Sequence, residues 1–310
     1  MMSGICYLIL CHENVGQVKE IVEFLSADDA FFVVHVDRKA REDYSCLTGI
    51  PRVHVMQERV AVEWGGLSVV DAVIRMSEYA IENVRNVTHY VLLSGSDFPV
   101  KLHKKIRDYL SANAKTDYIA GVALPSEMTK WNEGGRRRIE AYAIRLNDHN
   151  SATIEPRKIS YQNFRQFAKV LLVNAGKLPS AMRIFLCSPK RRFPSGIVPY
   201  AGGMWWILSR ETLTDTLQWN REHPEYHRYH EDTQIPDEIY FNTIVHNAKR
   251  CIVNDTKKYV SWKPNCGSSP IWMTYPDDKD IIDDCISNPD IFFVRKIKDS
   301  RLIEYIKLEV

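Results

Sequence analysis

The first 122 residues alternate short apolar runs with amphipathic stretches, and that alternation constrains the fold more than any other feature. "GICYLIL" (4–10), "FFVVHVD" (31–37), "VHVM" (53–56), "HYVLLSG" (89–95) and "DYIAGV" (117–122) are β-rich and apolar. Between them, Val15, Val18, Ile21, Val22 and Leu25 recur at helical spacing. Leu67, Val70, Ile74 and Ile81 do the same, and "KKIRDYL" marks a third helix. Antiparallel hairpins need only short turns, whereas parallel strands need crossovers long enough to hold a helix. The rhythm therefore predicts the α/β class, a mostly parallel central sheet flanked by helices.

Such sheets bind ligands at the carboxyl ends of their strands. The polar residues there are His12 and Asn14, His35 and Asp37, then Ser94, Ser96 and Asp97. Asp37 suits a ribose or base contact, or a turn. Asp97, just before "FP", orients a sugar or pins its loop. The dinucleotide motif G-x-G-x-x-G, the P-loop and G-x-S-x-G are all missing, which removes three cofactor and hydrolase readings. His12, His35, His54 and His89 lack metal spacing, and the one D-x-D, Asp278 to Asp280, lies in a charged late segment. No metal is expected. A leaving diphosphate would then need Arg or Lys, with Arg295, Lys296, Lys257, Lys258 and Lys263 as candidates.

The second half is less regular. "KWNEGGRRRIEAYAIRL" (130–146) has a Gly-Gly turn and three arginines, and a helix is expected around Tyr161–Val173. "KRRFPSGIVPYAGG" reads as a loop or lid, "MWWILS" as a strand, and Ser209 as the N-cap of the next helix. "REHPEYHRYHEDTQ" reads as an exposed loop. "IPDEIYFNTI" (235–244) puts Pro236, Asp237 and Glu238 at a helix start. Its carboxylates complement the helix dipole, or one of them acts as a general base beside "YF". Trp64, Trp131, Trp205, Trp206, Tyr259 and Trp262 sit near turns and strand ends, where rings stack on sugars or fill cores. Strand alternation sends one of Trp205 and Trp206 inward.

Composition narrows the partners. With 41 basic and 39 acidic residues the net charge is +2, so nucleic-acid binding is not expected. No unbroken apolar run approaches a membrane span. The apolar run Ile5–Cys11 lacks signal-peptide flanks, and the seven cysteines at 6, 11, 46, 187, 251, 266 and 285 contain no C-x-x-C. The expectation is a cytoplasmic protein with reduced, mostly buried thiols. The basic "SPKRRF" around Arg191 allows peripheral contact with the inner face of a membrane.

In chain order, "YLILCHEN", "FFVVHVDRKA", "VEWGGLSVVDA", "HYVLLSGSDFPVK", "GGMWWILSRE", "PDEIYFNTIVHN" and "IFFVRKI" resemble the core-2/I-branching β-1,6-N-acetylglucosaminyltransferases. This is glycosyltransferase family 14, which also holds the protein xylosyltransferases. The chain is similar to the short bacterial members, lacking the anchor and paired cysteines of animal Golgi enzymes. The resemblance covers residues 4 to 298. It implies a GT-A-like fold, residues 1–122 binding the nucleotide sugar and 123–310 holding the acceptor and the catalytic base. It implies metal-independent, inverting transfer from a UDP-sugar, with UDP-GlcNAc the expected donor, to a glycan or glycolipid acceptor, with no cofactor.

By the same resemblance Glu238 is the base, and Asp237 keeps the capping role. His12, Asp37, Asp97, Arg295 and Lys296 fall on the donor side, Lys296 at the diphosphate. Trp131, Arg138 and Tyr142 fall near donor or acceptor sugars, and Trp64, Trp206 and Trp262 are expected there as stacking rings. One position departs from the family pattern: Ile271 in "SPIWMT" stands where a second basic residue is common, so either Lys263 or Arg295 substitutes or the phosphate is neutralised more weakly. The alternatives are a metal-dependent transferase of similar fold and a non-catalytic carbohydrate-binding protein. The loops 125–150 and 186–202 are expected to choose the acceptor.

Overall fold

The computed structural model describes residues 4–129, 131–262 and 269–310. The first half runs β1 (Gly4–Cys11), α1 (Val15–Phe24), β2 (Ala30–Val36), β3 (Val53–Val55), α2 (Ser68–Asn83), β4 (Val87–Ser94), β5 (Asp97–Pro99), α3 (His103–Ala112) and β6 (Thr116–Ala123). The second half continues with α4 (Arg136–Glu140), β7 (Tyr142–Arg145), β8 (Ser151–Ile154), α5 (Tyr161–Asn174), α6 (Leu178–Cys187), β9 (Tyr200–Ser209), α7 (Arg210–Glu222), α8 (Pro224–His230) and α9 (Tyr240–Asn247). It ends with β10 (Cys251–Val253), β11 (Lys258–Val260), α10 (Lys279–Ser287), β12 (Phe293–Arg295) and α11 (Ser300–Glu309).

Among the described residues, the main sheet has seven strands in the order β10-β6-β9-β4-β1-β2-β3. All of its pairings are parallel except those of β9, which runs antiparallel to both β4 and β6. This is the α/β architecture that the alternating sequence predicts. Period-two alternation splits β1 between two cores. Ile5, Tyr7 and Ile9 pack with Val18 and Ile21 of α1 and Leu302 and Ile306 of α11. Cys6 and Leu8 pack with Val73 and Met76 of α2, Leu213 of α7 and Phe241 of α9. Ser209 caps α7 as expected, its side chain accepting from the Thr212 amide.

Two small sheets accompany the main one. Strands β11, β12 and β5 form one, with Arg295 directly opposite Asp97. Strands β7 and β8 form a ribbon on which α5 and α6 lie. Gly202 faces Gly121 across β9 and β6, and a Cβ on Gly202 would lie 1.7 Å from the Ala120 carbonyl oxygen, so only glycine fits.

Several expectations fail here. "PEYHRYH" is the helix α8, not an exposed loop: Tyr226 and His230 are buried in an aromatic cluster with Trp219 and Tyr240. The polar residues alternate with aromatics at helical spacing, which the composition alone concealed. Within the basic "SPKRRF", Arg191 is buried, donating to the carbonyl oxygens of Arg138, Ala141 and Tyr229, and of the basic side chains only its neighbours Lys190 and Arg192 are exposed. Cys6, Cys11 and Cys285 are buried free thiols, but Cys46, Cys187 and Cys251 are exposed. The absence of a long unbroken apolar run does hold, although by length and composition alone the helical stretch Tyr161–Cys187 passes as a candidate membrane span.

Candidate active site

The segment Pro236–Glu238 is a short 3-10 turn, separate from α9. It does not open a helix with a carboxylate cap: neither carboxylate accepts a capping bond, and Ile235 before it is left-handed at φ 51°. The expected capping role of Asp237 is therefore wrong. Its Oδ1 is buried without a partner, and burial, then the charge of Glu238, push its carboxyl up to about 7. A backbone bond and Arg138 only partly oppose this.

Glu238 behaves differently. Its side chain remains 32% accessible, and Arg138 donates to its Oε2 at 3.0 Å. Burial raises its pKa, while Arg138 pulls the other way through charge and hydrogen bond. The result is an ionisable carboxylate held by one cation and still reachable. Asn242 of α9 ties this turn to β9, its Nδ2 donating to the carbonyl oxygens of Gly203 and Glu238 at 2.9 and 3.3 Å.

The Gly-Gly turn explains how Arg138 arrives. Gly135, at φ 84°, precedes α4, and a Cβ there would meet the Trp131 ring at 2.8 Å. With that space open, Trp131 lies under the Arg138 guanidinium, 4.0 Å from ring centroid to carbon. Arg138 also donates to the Gln234 carbonyl at 3.1 Å. Trp131, Arg138 and Glu238, about a hundred residues apart in sequence, form one chain of contacts. Tyr142 follows on β7 with its hydroxyl donated to the Pro189 carbonyl.

A second cluster lies on the small sheet. Asp97 accepts from Lys258 Nζ at 2.5 Å, from Arg295 Nη1 at 2.7 Å and from the Ser94 amide at 2.8 Å. The side chains of Asp97 and Lys258 are each only 1% accessible. Burial works against the Asp97 charge, but Lys258 and Arg295 outweigh it and hold its carboxyl below the usual range. Burial, offset in part by Asp97, brings Lys258 down to about 8. Asp97 is therefore not a donor contact: it is the buried counter-ion that places two cations, and its short strand β5 leaves it no open face. Trp205 covers them, 4.0 Å from Lys258 and 4.3 Å from Arg295.

Trp206, the ring expected near sugar, instead lies in the core against Phe241 of α9. Both faces of β9 are covered at this level, so alternation alone could not say which ring turns toward the charges. Lys296, next along from Arg295, donates to the Ser269 hydroxyl at 2.8 Å and lies 5.5 Å from the Trp272 ring. Burial, then Arg295, lower its pKa. Lys258 and Arg295 thus share Asp97, while Lys296 feels the charges of both Asp97 and Glu13 without bonding either. Lys257 is spent elsewhere, on Asp290 and Asp255. Lys263 lies outside the described residues.

The remaining candidates spread out. Asp37 Oδ1 accepts from the amides of Lys39 and Val62, a turn role at the end of β2. His12 is exposed beside Glu13. Trp262 is exposed. Trp64 borders a cleft of about 280 Å³ with Arg145, Gln234 and Ile235; Glu238 does not line it. The Gly65 carbonyl accepts from the Ile235 amide, so the "WGG" turn backs the acidic turn. Among the described residues, no three His, Cys, Asp or Glu side chains gather as a metal site. Sequence reasoning missed Asn242, named Trp205 among the candidate rings without choosing it over Trp206, and placed Lys258 only in a pool. No local signal marks them, because the small sheet joins residues 161 and 198 positions apart.

The Core-2/I-Branching enzyme family model matches residues 5–281. The chain belongs to this family. A xylosyltransferase of Ciona intestinalis is 22% identical over 96% of this chain and 32% of its own length. The Drosophila melanogaster xylosyltransferase oxt is 22% identical over 92% of this chain and 28% of its own, and human xylosyltransferase 2 is 20% identical over 93% and 29%. The chain therefore spans about a third of the length of these relatives. Mouse xyloside xylosyltransferase 1 aligns over 94% of this chain and 97% of that chain at 10% identity, with a TM-score of 0.35. The fold assignment rests on this chain's own sheet order and not on that likeness.

Proposed function

We propose that this protein transfers a sugar from a UDP-sugar to a hydroxyl of a glycan, with inversion and without a metal. The observation that carries the reading is Glu238: an accessible carboxylate with a raised pKa, oriented by an arginine that is itself stacked on Trp131. Its carboxylate takes the proton of the acceptor hydroxyl. That oxygen forms a bond to the anomeric carbon from one face. On the other face the bond from that carbon to the phosphate oxygen breaks, and its electron pair leaves with UDP. Lys296 and Arg295 balance the departing charge, with Lys258 and Asp97 holding Arg295's surroundings rigid. This cluster would stand in for the second basic residue that Ile271 replaces. Asp37 would contact the uridine from its turn.

The donor sugar is GlcNAc on the family's weight. The relatives' names favour xylose as a second reading. A UDP-release screen with both donors and several acceptors separates them. Glu238→Gln is expected to abolish turnover while UDP binding by calorimetry persists; near-normal turnover would overturn the base assignment. Loss of activity in EDTA with recovery on manganese would point to a metal-dependent enzyme. Glycan binding with no UDP affinity would point to a non-catalytic protein.

A further inference from the structure

The lobe made by the β7–β8 ribbon, α5 and α6 is incompletely covered. Its inward side is packed: Val170 and Ala181 are fully buried, and Phe167 meets Phe185 edge-on at 5.7 Å. Its outward side is apolar. Tyr161, Phe164, Leu171 and Leu172 recur at helical spacing along one face of α5 and are all exposed, Leu172 by 87% and Phe164 by 71%. Met182 and Leu186 are exposed in the same way on α6. Both helices lean on one ribbon with their inward faces, so these outward faces turn away from the body of the protein. Scattered surface leucines are ordinary, but a continuous apolar helix face is a docking surface.

Charge identifies the occupant. From Pro156 to Ser209 there is no Asp or Glu, against nine Lys and Arg. Arg165, Lys177, Arg183, Lys190 and Arg192 are exposed around the apolar face. A second copy seated symmetrically would set cations against cations. Two features argue against a membrane-spanning role. Asn163 anchors α5 by donating to the Glu155 and Lys158 carbonyls, and Asn174 leaves helical geometry at φ −157° between α5 and α6. An amphipathic helix pair with a purely basic polar margin fits the plane of an anionic lipid surface.

We propose that the outward face of α5 and α6 docks flat on an anionic lipid bilayer. The lobe is fastened to the candidate site: Arg191, four residues past α6, donates to the Arg138 and Ala141 carbonyls, and Arg138 holds Glu238. Docking would therefore hold the candidate site in a fixed position relative to the membrane, which suits a glycan acceptor carried on a lipid. That consequence rests on the transferase reading; docking itself does not.

The test is co-sedimentation of the full chain with vesicles of phosphatidylcholine alone or with one-third phosphatidylglycerol. The protein is expected to pellet with the anionic vesicles and to release in high salt. Phe164→Asp with Leu172→Asp, and separately Arg165→Glu with Lys177→Glu and Arg183→Glu, should each weaken partitioning about tenfold or more. These side chains are exposed, so heat-unfolding midpoints should not move, and turnover on a water-soluble acceptor should persist. A protein inactive with every donor that still binds vesicles would count against the transferase reading alone. Failure of the wild type to bind anionic vesicles overturns docking. So does binding that both variants retain, or self-association that Phe164→Asp with Leu172→Asp abolishes.

Discussion

Replacing Asp237 by Asn should stabilise the protein, and by an amount that grows with pH. A carboxyl raised from 3.8 to about 7 binds its proton more tightly in the folded chain than in the unfolded one. Stability is therefore undiminished below the unfolded value and is lost as pH climbs toward the folded one. At roughly 1.4 kcal/mol per pH unit, the full penalty above pH 7 is about 4 kcal/mol. Local relaxation and the neighbouring charge of Glu238 reduce what can be recovered, so a gain of about 1–3 kcal/mol at pH 8 is expected. Near pH 4 the two proteins should be equally stable, since Asn matches a protonated Asp in shape. Urea unfolding at several pH values between 4 and 8 measures this. An advantage that stays constant with pH, or shrinks as pH rises, would refute a desolvated Asp237. The same variant separates the pair chemically: turnover should survive Asp237→Asn.

Three other perturbations probe the rest of the site. Arg138→Met removes the cation that opposes the raised pKa of Glu238, so the acid limb of the kcat/KM profile should move to higher pH; Arg138→Lys should restore part of it, and an unmoved limb would detach Arg138 from the base. Lys258→Met leaves Asp97 buried with one partner fewer and should cost about 3 kcal/mol in chemical unfolding. Combined with Asp97→Asn, the loss should fall short of the sum of the singles; simple additivity would mean the pair is not coupled. Lys296→Ala should weaken UDP binding about tenfold or more in calorimetry without shifting the melting temperature, on the usual strength of a charged hydrogen bond; unchanged affinity would move the phosphate site elsewhere.

Period and order were enough to read part of this protein from its residues. The alternation of apolar runs with helical stretches determined a parallel-rich α/β sheet, since β1 must bury Ile5 and Tyr7 on one side and Cys6 and Leu8 on the other. Ser209 as a cap was also legible, because caps are local in sequence. Tertiary structure alone decided three matters. It turned Trp206 into the core and Trp205 onto the cations, because β9 is covered on both faces and alternation then carries no direction. It withdrew Asp97 into an ion pair and Asp237 into a desolvated pocket, because burial depends on which distant segments close over a side chain. It also left one face of α5 and α6 bare, since a helical pattern shows that a face is apolar but not what packs against it.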